Sequence, residues 1–268
     1  MIPKIIHYCW VGGAPLPESA KKCIKSWRKY CPDYEIIEWN ESNYDFTSVD
    51  YMKEAYEAKK WGFVPDYARL DIVYTHGGIY LDTDVEIVKS FDPLLSLSAF
   101  AGFQEGGEVA LGLGFGAEAG SPVIKKLMDS YAGRHFISAG GEPDLTPSPR
   151  LNTATLVKEY GLRLDGTFQE LDGITVFPAD YFCPKSFEDG IVRKTKNTYS
   201  IHHFDASWYT EKQNIEKQQR WEYLQAQEER ERRRERKLRN RRIFGGFFRK
   251  IFGDKGWEKL KRFLFGRR

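Results

Sequence analysis

Two aspartates, Asp82 and Asp84, stand two positions apart directly after the apolar segment 79–81. Residues i and i+2 of a strand face the same side, so this spacing predicts that both carboxylates point into one space. Carboxylates this close repel each other unless a cation lies beside them, and a hard divalent ion such as Mg²⁺ or Mn²⁺ suits such an oxygen-rich site. The alternative is an ordinary solvated turn, because a short Asp-X-Asp sequence taken alone is weak evidence for a metal site.

Other segments supply groups that could act with this pair. Asp66 and Arg69, at i and i+3 of a predicted helix, share one face of that helix. They are either part of a site or an ordinary ion pair on the helix surface. His202 and His203 end a late predicted strand, and because strand neighbours point in opposite directions, one of them is available as a metal ligand. Trp10 follows the first predicted strand and offers a ring for stacking a base, with core packing as the alternative.

These residues are carried by alternating strand and helix patterns. Short apolar segments predict strands at 4–10, 34–39, 79–81, 85–87, 100–103, 111–117, 174–177 and 200–204. Helix-forming segments bounded by Pro or Gly predict helices at 17–30, 51–61, 65–76, 122–132 and 149–160. Strands alternating with helices are the units of an α/β sheet, which is the fold class we expect.

Four motifs in this order resemble glycosyltransferase family 32, the sugar-binding region containing a DXD motif. They are Ile5-Ile6-His7-Tyr8-Cys9-Trp10-Val11-Gly12-Gly13, Pro65-Asp66-Tyr67-Ala68-Arg69, Gly77-Gly78-Ile79-Tyr80-Leu81-Asp82-Thr83-Asp84 and His202-His203-Phe204-Asp205-Ala206-Ser207-Trp208. The family includes yeast mannosyltransferases and many bacterial polysaccharide enzymes, and the glucosyltransferase domains of large clostridial toxins are similar more distantly. The resemblance covers 1–210 and implies a GT-A type nucleotide-sugar-binding fold, a Rossmann-like mixed sheet flanked by helices.

The resemblance also implies a role for each matching residue. The implied donor-binding set is Trp10 and Val11 at the base, Asn40 in the nucleotide pocket, Asp66 and Arg69 near the sugar and phosphates, Tyr80 and Asp82 at the ribose and transferred sugar, and Ser207 and Trp208 on a loop closing over the diphosphate. The implied ligands of Mn²⁺ or Mg²⁺ are Asp82, Asp84, His202 and His203, with the choice between the histidines open. Ala206 stands where many relatives have glycine, which changes how the loop can bend.

Several other features do not yield a site. No carboxylate can be assigned as a nucleophile, and Glu105, Glu118 and Asp180 are interpreted as solvated surface. The Gly-rich segment 112–116 lacks the spacing and the strand–turn–helix context of a dinucleotide fingerprint. Asn152, after Pro149, favours a helix-start role over an acceptor-binding one.

Composition narrows the class of protein. The 268 residues are 41% hydrophobic, which is enough for one large domain with an appendage. No apolar run approaches the ~20 residues of a membrane span, and the first residues lack the features of a secretory signal. Four cysteines without a Cys-X-X-Cys pair indicate reduced packing residues of a cytosolic protein.

The charge is divided unevenly along the chain. Residues 211–268 hold 20 Lys and Arg against 9 Asp and Glu, a balance of +11, whereas 1–210 carries −8, although the net charge is only +3. We therefore predict two domains, a GT-A glycosyltransferase domain at 1–210 and a basic, amphipathic helical extension at 211–268.

The end of the extension combines apolar stripes with positive charge. The stripes consist of Ile243, Phe244, Phe247, Phe248, Ile251 and Phe252, and of Trp257, Leu260, Phe263 and Leu264. Cationic, aromatic-rich amphipathic segments are typical of interfacial membrane anchors, so we expect 243–268 to bind an anionic membrane surface. Docking on the chain's own body or on a partner subunit is the alternative. A continuous apolar face argues against nucleic acid as a partner.

Together these features predict a metal-dependent glycosyltransferase, retaining by family resemblance. Its donor would be a UDP- or GDP-sugar, and its acceptor a glycan or a lipid-linked glycan in the synthesis of capsule, O-antigen or another surface polysaccharide. We expect it in the cytoplasm, peripheral on the inner face of the cell membrane. The alternatives are a toxin-like transferase that modifies a protein side chain, and a non-catalytic nucleotide-sugar-binding module.

Overall fold

A computed structural model describes residues 1–205 and 210–265. The chain forms two compact units, Met1–Asn214 and Ile215–Arg268. The strands of the first unit are β1 (Ile5–Cys9), β2 (Glu35–Trp39), β3 (Gly78–Tyr80), β4 (Val85–Ile87), β5 (Ala99–Gly102), β6 (Phe115–Ala117), β7 (Gln169–Leu171), β8 (Ile174–Phe177) and β9 (Ser200–His202). Its helices are α1 (Glu18–Tyr30), α2 (Asp50–Glu57), α3 (Pro65–His76), α4 (Pro122–Asp129), α5 (Ser148–Tyr160) and α6 (Ala179–Phe182), and α7 (Glu211–Phe265) follows.

Seven of the described strands form one mixed sheet in the order β2-β1-β3-β6-β5-β8-β7. β1 runs parallel to both β2 and β3, whereas β6 is antiparallel to β3 and β5. The expected mixed α/β sheet flanked by helices, with a helical C-terminal segment, is confirmed. Because β1, β2 and β3 are parallel, the residues that follow each of them meet at one edge of the sheet, where open α/β sheets bind ligands.

β3 is buried on both faces, which explains its continuous apolar sequence. Ile79 and Leu81 pack in one core cluster with Trp27 of α1, and Tyr80 packs in a second cluster with Val73 of α3. α3 begins at Pro65, which is favourable in a first helical turn. It ends before Gly77, whose φ of 66° lies in the region that favours glycine.

The segment expected as one strand at 111–117 contains two elements. Leu111–Leu113 form a 3₁₀ turn, and β6 begins only at Phe115. Gly114 lies between them with a φ of 127°, a conformation that breaks a strand. The prediction of a continuous strand is therefore wrong, and the break brings Gly112 against the aspartate pair.

The second unit consists of most of α7. Gly253 has non-helical φ and ψ values of 67° and 173° and divides this helix into two. Ion pairs at i and i+4, such as Arg232–Glu228 and Arg233–Glu229, line its charged part. No helix among the described residues is both long and apolar enough to cross a membrane.

Candidate active site

The two aspartates follow the apolar strand as predicted, but they lie in the turn that joins β3 to β4 and do not have the strand conformation from which their shared direction was expected. The N–H of Asp82 donates to the carbonyl of Gly112 at 3.1 Å, and the N–H of Val85 donates to the carbonyl of Asp82 at 3.1 Å. This turn, rather than strand alternation, brings the carboxylates together. One ligand atom each from Asp82, Asp84 and His202 lie within 4.8 Å of one another.

His202 reaches the pair because β9 is antiparallel to β4, with His202 opposite Val85. Its Nε2 lies 3.2 Å from Oδ1 of Asp84, whose Oδ2 accepts the backbone N–H of Asp205 at 2.9 Å. Burial alone would raise the pKa of Asp84, but His202 and the Asp205 N–H outweigh it and lower that pKa to about 2. Burial opposes protonation of His202, yet Asp84 raises its pKa above the ordinary value.

The structure brings only one of the two histidines to the aspartates. The ring of His203 points elsewhere, and its Nε2 lies 2.9 Å from Oε2 of Glu86. Its backbone N–H donates to the carbonyl of Asp84 at 2.9 Å. Of the two candidates that the sequence left open, His202 has the geometry of a ligand.

The donor set of this cluster suits a divalent cation. Two carboxylates and one imidazole are ligands that Mn²⁺ accepts, and Mg²⁺ accepts the carboxylates. Among the described residues, the buried Nδ1 of His202 has no hydrogen-bond partner, and a buried nitrogen without a partner is costly unless something binds it. Asp82, Asp84 and His202 are therefore the residues that would hold the ion.

Arg69, on α3, links that helix to the aspartate turn. Its Nη2 lies 3.1 Å from Oδ1 of Asp66 and 3.5 Å from Oδ1 of Asp82, and its Nε donates to the carbonyl of Pro65 at 3.0 Å. Burial raises the pKa of Asp66 to about 6, although Arg69 and a hydrogen bond from Ser148 act against it. Burial disfavours the charge of Arg69, but Asp82 and Asp66 raise its pKa above the ordinary value, so it remains a cation.

Tyr80 is a core residue of this region. Its side chain is 1% exposed, and its ring lies under Arg69, whose Cζ is 5.2 Å from the ring centroid. Burial raises the pKa of its hydroxyl well above the usual value, and the Cys9 thiol raises it further. Tyr80 therefore packs against the guanidinium of Arg69. Its contact with a ribose stays a prediction.

The residues expected to bind the base follow β1 and β2. Trp10 is partly buried and its Nε1 donates to the carbonyl of Ala14. Val11 is buried beside it. The Asn40 side chain accepts from the N–H and hydroxyl of Ser42 and donates to Glu38, which ties it to its own loop. These three lie at the expected edge of the sheet, and their contacts with a nucleotide stay predictions.

Gly112 is the residue that sequence reasoning missed. A Cβ at position 112 would lie 2.0 Å from Oδ2 of Asp82 and 3.1 Å from Nη1 of Arg69. Only glycine fits there without moving these groups. The Gly-rich sequence was visible, but its closeness to Asp82 depends on the fold.

Other candidates have structural roles. Glu105 is exposed, as expected, but it is also anchored, because its Oε2 accepts the hydroxyl of Ser186 at 2.8 Å and the N–H of Phe187 at 3.0 Å. Asp180 accepts hydrogen bonds from Thr195 and Asn197. Glu118 pairs with the N-terminal amine of Met1.

α5 begins at Ser148, so Asn152 lies one turn inside the helix and the expected helix-start role is wrong. Ser207 and Trp208, expected on the closing loop, and Ala206 lie outside the described residues.

Residues 17–101 match the model of the family described as "Glycosyltransferase sugar-binding region containing DXD motif". The resemblance expected from the motifs is confirmed over this segment, which carries α3, β3 and the aspartate turn. "Inositol phosphoceramide mannosyltransferase 3" of Schizosaccharomyces pombe is 38% identical over 103 residues, covering 37% of this chain and 29% of that protein. "Mannosyl phosphorylinositol ceramide synthase SUR1" of Saccharomyces cerevisiae is 33% identical over 104 residues, covering 37% of this chain and 27% of that protein.

The match therefore spans less than a third of these curated relatives. Among solved structures, one titled "PaToxG Glycosyltransferase" is 21% identical with a TM-score of 0.47, covering 59% of this chain and 69% of that one.

Proposed function

We propose that this chain is a metal-dependent, retaining glycosyltransferase that moves a sugar from a nucleotide-sugar donor to a glycan acceptor. The observation that carries the proposal is the convergence of Asp82, Asp84 and His202 within 4.8 Å, beside the buried cation Arg69. The match of 17–101 to a DXD glycosyltransferase family supports the same reaction.

Each residue has a role that follows from its place. A divalent ion bound by Asp82, Asp84 and His202 would supply Lewis-acid stabilisation of the negative charge on a diphosphate leaving group. Arg69 supplies a second, permanent positive charge, and Asp66 holds its guanidinium in one orientation. Asp82 lies 3.5 Å from Arg69 and would also hold the ion, so it would bring the two positive charges close together. Trp10, Val11 and Asn40 would bind the base, and Ser207 and Trp208 would exclude water from the donor.

The names of the relatives reduce the range of candidate donors and acceptors. Both curated relatives are named for mannosyl transfer to an inositol phosphoceramide, which favours a mannosyl nucleotide over other UDP- and GDP-sugars. A lipid-linked acceptor is also consistent with the exposed aromatic residues of α7. We propose that 243–268 holds the enzyme on the inner face of the cell membrane, where it would extend a lipid-linked glycan of a surface polysaccharide.

We also propose that the chain has two domains with separate roles. Residues 1–210 would perform the transfer, and 211–268 would bring that unit to the membrane. The aspartate turn and the buried Arg69 both lie in the first compact unit, Met1–Asn214.

A panel of UDP- and GDP-sugars tests the reaction. The full chain is incubated with each donor with and without Mn²⁺, and sugar release or transfer is measured beside thermal stabilisation by donor. We expect Mn²⁺-dependent turnover of at least one donor and a loss of at least about 10²-fold in Asp84→Asn. Asp172→Asn, which changes an exposed aspartate in the turn between β7 and β8, is the matched control and should retain activity. An Asp84→Asn variant with full activity would contradict the proposed site.

A further inference from the structure

Phe204 has a left-handed backbone conformation, with a φ of 57°. Such a value is unusual for a bulky residue, and among the described non-glycine residues only Lys59 shares a positive φ. Conformations of this kind persist where surrounding contacts fix them, and they cluster at functional sites. Phe204 stands two positions after His202, the candidate metal ligand.

The backbone on both sides of Phe204 is held by hydrogen bonds. The carbonyl of His203 accepts from Nζ of Lys185 at 2.8 Å. The N–H of Asp205 donates to Oδ2 of Asp84 at 2.9 Å. The strained turn is therefore fixed to the metal-binding turn at one end and to the loop at 185–187 at the other.

The ring of Phe204 contacts two other rings. Its centroid is 4.3 Å from that of His202, at an interplanar angle of 73°, and 5.3 Å from that of Phe187, at 72°. Edge-to-face contacts of this geometry favour particular ring orientations. The imidazole of His202 consequently has Asp84 beside one nitrogen and Phe204 against its ring.

Phe187 is in turn fixed by Glu105, in the loop after β5. Oε2 of Glu105 accepts both the Ser186 hydroxyl and the Phe187 N–H, so this carboxylate anchors the loop that carries the outer ring. Phe187 remains 41% exposed, so its ring adds little to the core of the unit. The contacts run from the central sheet through Glu105, Phe187 and Phe204 to His202.

We propose that Phe204 is a positioning residue for the metal ligand His202, and that Phe187, anchored by Glu105, holds Phe204 in place. The inference rests on the proposed metal-dependent function and extends it to residues outside the ligand set. An imidazole already oriented before the ion arrives loses less freedom on binding, so these rings increase affinity for the metal without touching it.

Mn²⁺ binding to the full chain tests this inference. Isothermal titration with MnCl₂ is carried out on the wild type, Phe187→Ala, Phe204→Leu and the double variant, at a temperature where urea denaturation shows all four folded. We expect each single variant to bind Mn²⁺ about two- to tenfold more weakly. Because both rings act along one line of contacts, the double variant should lose less than the product of the two effects. Phe168→Leu, which removes a ring whose contact is with Phe177, is the control and should bind Mn²⁺ as the wild type does.

The outcomes separate this inference from the proposed function. Wild type that binds Mn²⁺, with Phe187→Ala and Phe204→Leu binding equally well, would overturn the positioning role and leave the metal site intact. Independent effects that multiply in the double variant would overturn the link between the two rings. Wild type that binds no Mn²⁺ would overturn the metal site and this inference together.

Discussion

Gly112 lies so close to Asp82 that no side chain fits between them. The carbonyl of Gly112 accepts the N–H of Asp82 at 3.1 Å, and a Cβ on Gly112 would stand 2.0 Å from Oδ2 of that aspartate. The same Cβ would meet Nη1 of Arg69 at 3.1 Å. One glycine therefore sets the position of a carboxylate assigned to the metal and of the neighbouring cation.

Gly112→Ala should impair catalysis more than folding. The new methyl group displaces the Asp82 carboxylate, which is partly exposed and can rotate away, so we expect a stability loss of about 1–3 kcal/mol. Displacement of a metal ligand should lower kcat/KM at least tenfold and weaken Mn²⁺ binding. Steady-state kinetics, Mn²⁺ titration and urea denaturation measure the three effects.

Gly140→Ala is the matched control for that variant. Gly140 also lacks a positive φ, and its Cβ would meet only the hydroxyl of Ser138, at 3.7 Å. It should leave kcat/KM and Mn²⁺ affinity unchanged. Equal kinetics for Gly112→Ala and Gly140→Ala would contradict the role given to Gly112.

We expect that even a conservative substitution of Arg69 impairs the protein. The guanidinium Nη2 lies between Asp66 and Asp82 while Nε donates to the carbonyl of Pro65, and a lysine ammonium cannot reproduce this planar arrangement of donors. We expect Arg69→Lys to lose about 10²-fold in kcat/KM. Arg69→Met leaves two carboxylates without their cation, so its free energy of unfolding should fall by about 3–5 kcal/mol. Arg163→Lys, at an exposed arginine paired with Asp165, should change neither quantity. Wild-type kinetics in Arg69→Lys would show that charge alone suffices.

The local part of this site could be predicted from sequence, and the long-range part could not. An apolar strand followed by two carboxylates, and a helix between Pro65 and Gly77, are visible along the chain. The choice of His202 over His203 depends on the register that places His202 opposite Val85, more than a hundred residues away in sequence. The places of Gly112 and Glu105 depend on similar contacts between distant segments. Short motifs report residue types, whereas pairing of distant strands decides which atoms meet.

His7 provides a pH-dependent contribution to stability outside the site. Its Nε2 lies 2.8 Å from the carbonyl of Gly77, and its Nδ1 lies 3.1 Å from the indole Nε1 of Trp39. Because an indole N–H can only donate, Nδ1 must accept and the proton must reside on Nε2. Burial lowers the pKa of His7 to about 4, and a second proton on Nδ1 would face the Trp39 N–H.

Acidification should therefore destabilise the protein through His7. The unfolded chain takes up this proton near pH 6.5, whereas the folded chain takes it up only near pH 4. The stabilising contribution of His7 to the free energy of unfolding is fully present above pH 6.5. It is lost as the pH falls to about 4, by roughly 3 kcal/mol in total. The difference in unfolding free energy between the wild type and His7→Gln, measured in urea from pH 4.5 to 7.5, isolates this group. A difference that does not change with pH would show that His7 titrates normally in the folded chain.

The apolar part of α7 gives the membrane prediction. Phe244 and Phe247 are 56% and 59% exposed and lie close to Arg242 and Arg249 in the sequence. Burial of two phenylalanines at a bilayer interface, with about 1 kcal/mol from each basic residue near an anionic leaflet, would favour membrane binding. Phe244→Ser/Phe247→Ser in the full chain should reduce partitioning onto vesicles of anionic lipid at least tenfold.

Sedimentation with vesicles at several salt concentrations measures this effect. Leu238→Ser removes an apolar side chain that is 51% exposed on the same helix, before the aromatic stripe, and should pellet as the wild type does. Binding of the wild type should fall as salt rises, because screening weakens attraction between the basic residues and the lipid. Neutral vesicles should bind it less than anionic ones. Equal pelleting of the double variant and the wild type would contradict the proposal that these rings enter the membrane surface, and would favour a protein partner for α7.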